Sequence, residues 1–179
     1  MRILILNGNP KTEYIEFDSY LKNLKNSLEN KSNETKLISL RSIQLHDCIG
    51  CYSCWLKTPG ICCFNDGMED ILQEYLAADI VIFASPIIMH FVSALLKRVN
   101  DRMLPLGHPF LALKENRMSH VQRYSHYPKT TLLLDNPDNF DAGSSELIET
   151  VYKSSSRNLR KIWSTMQDVE EITNEIDNI

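Results

Sequence analysis

Asp79-Ile80-Val81-Ile82-Phe83-Ala84-Ser85-Pro86 reads DIVIFASP. Five consecutive apolar residues, three of them β-branched, stand between an acidic residue and a Ser-Pro turn signal. A short run that is apolar at every position reads as a strand buried on both faces, which is the habit of a parallel sheet. On its upstream side Asp66-Gly67-Met68 opens a helix through Leu76, with Asp66 in the N-cap position. Downstream, Val92, Leu95, Leu96, Val99 and Met103 recur at helical spacing.

The same alternation extends to both ends. Ile3 to Leu6 is a second wholly apolar run, closed by Asn7-Gly8-Asn9-Pro10. Phe17, Leu21, Leu24 and Leu28 predict a helix over about 16–30, and Lys36 to Leu40 is a more polar strand suited to a sheet edge. Thr130 to Leu134 predicts a fourth strand ended by Asp135-Asn136-Pro137. Leu147, Ile148, Val151 and Tyr152 mark a helix, Arg160 to Thr165 a fifth strand, and Val169, Ile172 and Ile176 a closing helix. Residues at about 105–128 show no clear period and read as a long excursion. Alternating strands and helices argue for an α/β fold, a doubly wound parallel sheet covered by helices on both faces. Five strands in this length fit the flavodoxin-like order 2-1-3-4-5. Ligands of such sheets bind outside the carboxyl ends of the strands, which directs attention to loops 7–16, 85–92 and 135–144.

The 179 residues suffice for one domain, 1–179, with 43% hydrophobic and 23% charged residues. A net charge of -4 without a basic stripe gives no footprint for nucleic acid. No apolar run approaches the roughly 20 residues of a membrane span. The apolar start, Met1 to Leu6, is too short for a signal-peptide core, so the expected location is cytoplasmic, with thiols reduced.

All five cysteines lie in CIGCYSCWLKTPGICC, Cys48 to Cys63. Cys48, Cys51 and Cys54 have the spacing that ferredoxins use for three ligands of one [4Fe-4S] cluster. Cys62 follows as a fourth ligand, and Cys63 could replace it. Zinc is the second reading, though its sites usually pair two cysteines at short spacing with a distant second pair. The third is that the thiols only pack a loop. A lone catalytic cysteine is disfavoured because no histidine base is tied to it.

Three stretches together, ILILNGNP, CIGCYSCWLKTPGICCFNDGM and ADIVIFASPIIMHFVSALLKRVNDR, resemble the flavodoxin-like NADPH-dependent FMN reductase family, most nearly its iron–sulfur flavoprotein branch. The resemblance covers roughly the first 105 residues. It implies FMN at the strand ends, in a homodimer or homotetramer. It also implies NAD(P)H or another donor as co-substrate, and a quinone, free flavin or electron carrier as acceptor. In that branch a compact cysteine block holds a cluster that feeds FMN, which would be Cys48, Cys51, Cys54 and Cys62 here.

The resemblance lays the FMN phosphate on the loop NPKTEYIEFDS, with Asn9, Pro10, Lys11, Phe17 and Ser19 as binding residues and Thr12 as a further donor. A helix N-terminus is a ready anion site. This loop departs from the Ser/Thr-rich loop of the reductases, because Glu13, Glu16 and Asp18 lie close to where a dianion would sit. Its NP…FD spacing is more similar to a loop of the quinone reductases. The ring would lie against Ser85, Pro86, Ile87, Ile88, Met89 and His90. His90 is the sole candidate for proton donation, against the plainer reading of a surface histidine capping the third helix. Trp55 and Lys57-Thr58-Pro59-Gly60 read as a lid segment. In the excursion, His108, His120 and His126 lack ligand-pair spacing. The excursion reads as a solvated loop covering a neighbouring subunit's flavin, with Arg117 or Arg123 meeting an anionic substrate.

Three functions remain in play. The first is an FMN-dependent NAD(P)H oxidoreductase. The second is an iron–sulfur flavoprotein electron carrier. The third is a flavin-free flavodoxin-like binding module, which the acidic loop would favour.

Overall fold

A computed structural model describes residues 1–114, 117–136, 142–155 and 158–179. Residues 137–141 of loop 135–144, Pro137 among them, and the Arg117 side chain lie outside the described residues. The central sheet is built from β1 (Arg2–Asn7), β2 (Glu34–Ser39), β3 (Ile80–Ile88), β7 (Lys129–Asp135) and β8 (Leu159–Ser164), in the order β2-β1-β3-β7-β8. All four pairings along this path are parallel. Counting these five strands alone, the order is 2-1-3-4-5, the expected flavodoxin-like arrangement. The apolar runs Ile3 to Leu6 and Ile80 to Ala84 are buried at every position, because helices cover both faces. The more polar β2 is at one edge, as expected.

One face carries α1 (Ile15–Asn30) and α6 (Val169–Ile176). Phe17, Leu21, Leu24 and Leu28 line the inner stripe of α1 and meet Ile3, Ile5, Ile82 and Trp163. The other face carries α3 (Met68–Ala77), α4 (Ala94–Asp101) and α5 (Ala142–Ser155) over a core that includes Leu4, Leu6, Val81, Phe83 and Leu132. A single turn, α2 (Ser53–Leu56), interrupts the cysteine segment.

Two local expectations change. The excursion is not an irregular loop: β5 (Gly107–Lys114) and β6 (Arg117–Gln122) pair antiparallel outside the main sheet. Phe110, Leu111, Leu113 and Met118 are all exposed, so the sequence has no alternation of buried and exposed positions by which to read these strands. The second change is at the end of β3, where β4 (Phe91–Val92) folds back antiparallel on Ile87 and Ile88. The connecting pair, Met89 at φ 49° and His90 at φ 65°, forms a two-residue turn with both residues left-handed. Non-glycine side chains are disfavoured there, and glycine would remove the strain.

Candidate functional site

The loops at the carboxyl ends of β1 and β3 are tied together by backbone and serine hydroxyls. The Gly8 N–H donates to the Ala84 carbonyl at 2.8 Å. Ser85 Oγ accepts the Ser93 N–H at 2.8 Å, and Ser93 Oγ donates to the Gly8 carbonyl at 2.5 Å. Ser93 is also the N-cap of α4, accepting from the Leu96 N–H. The helix cap is therefore Ser93 and not His90, because a short serine oxygen reaches the first-turn N–H groups while His90 stands in the preceding turn. Gly8 has to be glycine. A Cβ there would come within 2.9 Å of Ser93 Oγ and 3.0 Å of the Ala84 carbonyl.

One acidic residue of the first loop, Asp18, has an unexpected job. Asp18 accepts from Asn7 Nδ2 at 2.8 Å, Asn9 Nδ2 at 3.1 Å and both terminal nitrogens of Arg41, at 3.1 and 2.5 Å. Arg41 also donates to the Asn9 carbonyl. Burial would raise the Asp18 carboxyl, but the hydrogen bonds from Arg41, Asn7 and Asn9 together hold it below the ordinary carboxylate value. Asp18 is thus a neutralised hub that shapes the loop. Arg41 follows β2 and lies 23 residues from Asp18 in sequence, with no local signal to mark it. Tyr14 donates to Asp135 at the end of β7, and Thr165 donates to the same carboxylate. No side chain caps the N-terminus of α1.

Five of the eleven expected flavin-binding side chains are buried. Asn9 is fully buried and gives its amide to the Tyr14 carbonyl and Asp18, while its Oδ1 accepts from the Lys11 N–H. Phe17 and Ile87 belong to the two cores, and Ser85 is fully buried. Pro86 is buried and Ile88 half-buried, whereas Pro10, Lys11, Ser19, Met89 and His90 are exposed. His90 Nδ1 lies 2.7 Å from Ser144 Oγ at the start of α5. The groups left to face a ligand are the exposed stretch Thr12-Glu13, the Lys11 side chain, Ile88 and the Met89-His90 turn.

The cysteine segment forms a second centre. All five cysteines line one small cavity together with Ile49, Tyr52, Phe64, Arg102, Leu104 and Pro105. Gly50 at φ 64° and Tyr52 at φ 55° let the chain turn back on itself there. Cys51 and Cys63 are 3.5 Å apart, sulfur to sulfur. Hydrogen bonds from Ser53, then from Cys63, draw the Cys51 thiol down to about 7, and Cys63 is pushed up to about 11, first by its bond to Cys51. Burial, then the neighbouring thiols, raises Cys54. No group of three or more His, Cys, Asp or Glu side chains among the described residues is arranged to hold a metal ion as it stands. The donor chemistry nevertheless fits a sulfur-ligated cluster: soft thiols share one cavity, and a buried cation, Arg102, lines it.

Arg102 donates to Asp66 at 2.5 Å, to the His46 carbonyl at 3.2 Å and to Cys62 Sγ at 3.2 Å, with its Cζ 5.5 Å from the centre of the Phe64 ring. Asp66 also accepts from the His46 and Met68 N–H groups; the N-cap of α3 is Gly67 and not Asp66 as expected, so the aspartate serves the helix start from one residue earlier and the arginine together. Burial would raise Asp66, but Arg102 and His46 pull it well below the usual carboxylate range. Both Asp18 and Asp66 have depressed native values, so their stabilisation is complete above the ordinary 3.8 and is lost as pH falls below it. We expect urea midpoints to hold steady down to about pH 4 and then to fall progressively through about pH 3 and below. An unchanged midpoint at pH 3 would show that neither carboxylate is held by its partners in solution.

The other expected site residues have structural roles. Trp55 Nε1 donates to the Leu104 carbonyl and its ring contacts His120 of the hairpin, which joins the cysteine segment to β6. Arg123 gives Nε to the Pro105 carbonyl and a terminal nitrogen to the Gly107 carbonyl, so it holds the hairpin base and is not available as expected for an anionic substrate. His108 lies tilted against Phe110, His120 against Trp55, and His126 meets the Ala78 carbonyl, so the three histidines have separate neighbours.

Two curated relatives match about three fifths of the chain. An iron–sulfur flavoprotein of Methanocaldococcus jannaschii is 34% identical over 106 residues, 59% of this chain and 53% of its own. One of Archaeoglobus fulgidus is 32% identical over 108 residues, 60% of this chain and 48% of its own. The chain thus spans about half the length of these relatives. The fold is similar to an FMN-dependent NADH-azoreductase from Bacillus anthracis in complex with FMN, with a TM-score of 0.66, 14% identity and 98% of both chains covered. It is also similar to an NAD(P)H:quinone oxidoreductase from Methanothermobacter marburgensis, with a TM-score of 0.65, 15% identity and 97% and 90% covered. At such identities these structures speak for the flavodoxin-like fold alone. The family model described as NADPH-dependent FMN reductase matches residues 1–117, nearly two thirds of the sequence, and the chain belongs to that family.

Proposed function

We propose that the chain binds FMN at the carboxyl ends of β1, β3 and β7 and works as an FMN-dependent oxidoreductase. The observation that carries this reading is the organised first loop. Its acidic residue Asp18 is neutralised by Arg41, the N-terminus of α1 is left uncapped, and Lys11 stands exposed beside it. A phosphate dianion there gains the helix N–H groups and Lys11. Bound FMN supplies hydride and single-electron transfer; the protein supplies position and environment. The first-turn N–H groups of α1 and the Lys11 side chain grip the phosphate, and Ile88 and Met89 offer an apolar wall to the ring. His90, held near Ser144, is the candidate to hand on a proton. NAD(P)H is the proposed donor, with a quinone, free flavin or electron carrier as acceptor. The exposed apolar hairpin residues support assembly as a homodimer or homotetramer, and reduced thiols suit a cytoplasmic setting.

A second reading is favoured by a specific observation, the five cysteines lining one cavity. On this reading Cys48, Cys51, Cys54 and Cys62 hold a [4Fe-4S] cluster that serves the flavin. The test is an absorption spectrum of protein purified without oxygen, before and after dithionite, with iron and sulfide analysis. Flavin bands are expected. A brown shoulder with iron and sulfide would add the cluster. A colourless protein that takes up no added FMN would leave a flavin-free binding module.

A further inference from the structure

Arg102 is 2% exposed, lines the cysteine cavity, and sits 40 residues from the nearest cysteine it touches. A buried arginine is expensive unless every donor is satisfied. Its two terminal nitrogens are satisfied, one by Asp66 and the His46 carbonyl and the other by Cys62, but its Nε has no partner. Asp66, which balances its charge, does not line the cavity, so the positive end of the pair is the end presented to the sulfurs. The guanidinium is locked by its stack on Phe64. A fixed cation with one donor left over, against a set of thiols, is an arrangement made for negative charge in the cavity.

We propose that Arg102 is the positioning residue of the cysteine cavity, supplying a permanent positive charge and an N–H···S bond to the cluster ligand Cys62 and so raising the cluster's reduction potential. This rests on the iron–sulfur reading. Reduction adds negative charge, which a nearby cation stabilises, and hydrogen bonds to ligand sulfurs act in the same direction. Removing Arg102 alone would leave Asp66 buried and uncompensated, so the informative variants keep the balance. Arg102→Lys keeps the charge and loses the fork; the double variant Asp66→Asn with Arg102→Gln removes both charges.

The experiment incubates the full chain, wild type and both variants, anaerobically with FMN, ferrous iron and sulfide. Iron and sulfide are then counted, and the cluster potential is read by spin resonance during a redox titration. The expected result is full iron in all three, with the double variant's ratio of reduced to oxidised cluster at least about tenfold lower at a given poise. That corresponds to about 59 mV for a one-electron couple, with Arg102→Lys in between. Equal potentials in all three would overturn the role of Arg102 while leaving the cluster reading intact. So would loss of iron from both variants alone, which would make Arg102 a structural strut. A wild-type chain that takes up no iron would overturn the cluster reading, and this inference with it.

Discussion

Asp66→Ala melts about 6–20 °C below the parent chain. The Asp66 and Arg102 side chains are 5% and 1% exposed, and among the described residues Asp66 is the carboxylate that pairs with the guanidinium. Removing one partner of a buried ion pair strands the other in a low dielectric, at a cost of about 3–5 kcal/mol. In a chain of this size each kcal/mol moves the midpoint by about 2–4 °C. Asp66 also holds the Met68 and His46 N–H groups, so its loss loosens the start of α3 and the approach to the cysteine segment together. Differential scanning calorimetry would read the shift. A fall of less than about 2 °C would mean that water replaces the carboxylate and that Arg102 is not sealed in.

The second large effect concerns FMN. Asp18→Ala binds FMN at least about tenfold more weakly than the parent, measured by quenching of flavin fluorescence. Asp18 gathers Asn7, Asn9 and Arg41, and charge-assisted hydrogen bonds of this kind contribute about 1.5–3 kcal/mol each. Without it the loop that follows β1 loses its centre, and a semi-buried guanidinium loses its carboxylate. Simple charge repulsion predicts the opposite sign, because removing an anion beside a phosphate should tighten binding. Tighter FMN binding in the variant would therefore sink the scaffold role and restore Asp18 as an obstacle. Asp18→Asn, which keeps an acceptor oxygen, should lie between the two.

The strands that matter were legible because their burial is two-sided. Ile3 to Leu6, Ile80 to Ala84 and Leu132 to Leu134 are unbroken apolar runs, and no other element type explains runs so short. Amphipathic helices such as α1 were legible through Phe17, Leu21, Leu24 and Leu28. The hairpin of β5 and β6 was not, since its apolar residues are exposed and obey no core-facing period. Nor was the turn at Met89 and His90, where neither residue is the glycine that ordinarily announces left-handed backbone.

Four of the expected cofactor-facing side chains turn inward for a related reason. Asn9, Phe17, Ser85 and Ile87 lie at or beside the ends of the right elements, but spacing along a strand or helix cannot say which side chain turns inward to satisfy a buried partner. The pairings Asp18 with Arg41, Asp66 with Arg102 and Ser93 with Gly8 span 23, 36 and 85 residues. What the sequence by itself determined is the alternation of strands and helices, the order of the sheet that follows from it, and the presence of a dense thiol segment after the second strand. Only the tertiary structure decided that Asp18 is paired with Arg41 and that the thiols share a cavity with a buried arginine. Local periodicity reports how each segment divides its apolar surface. Electrostatic complementarity depends on distance through space, and that distance exists only once the sheet has brought remote segments together.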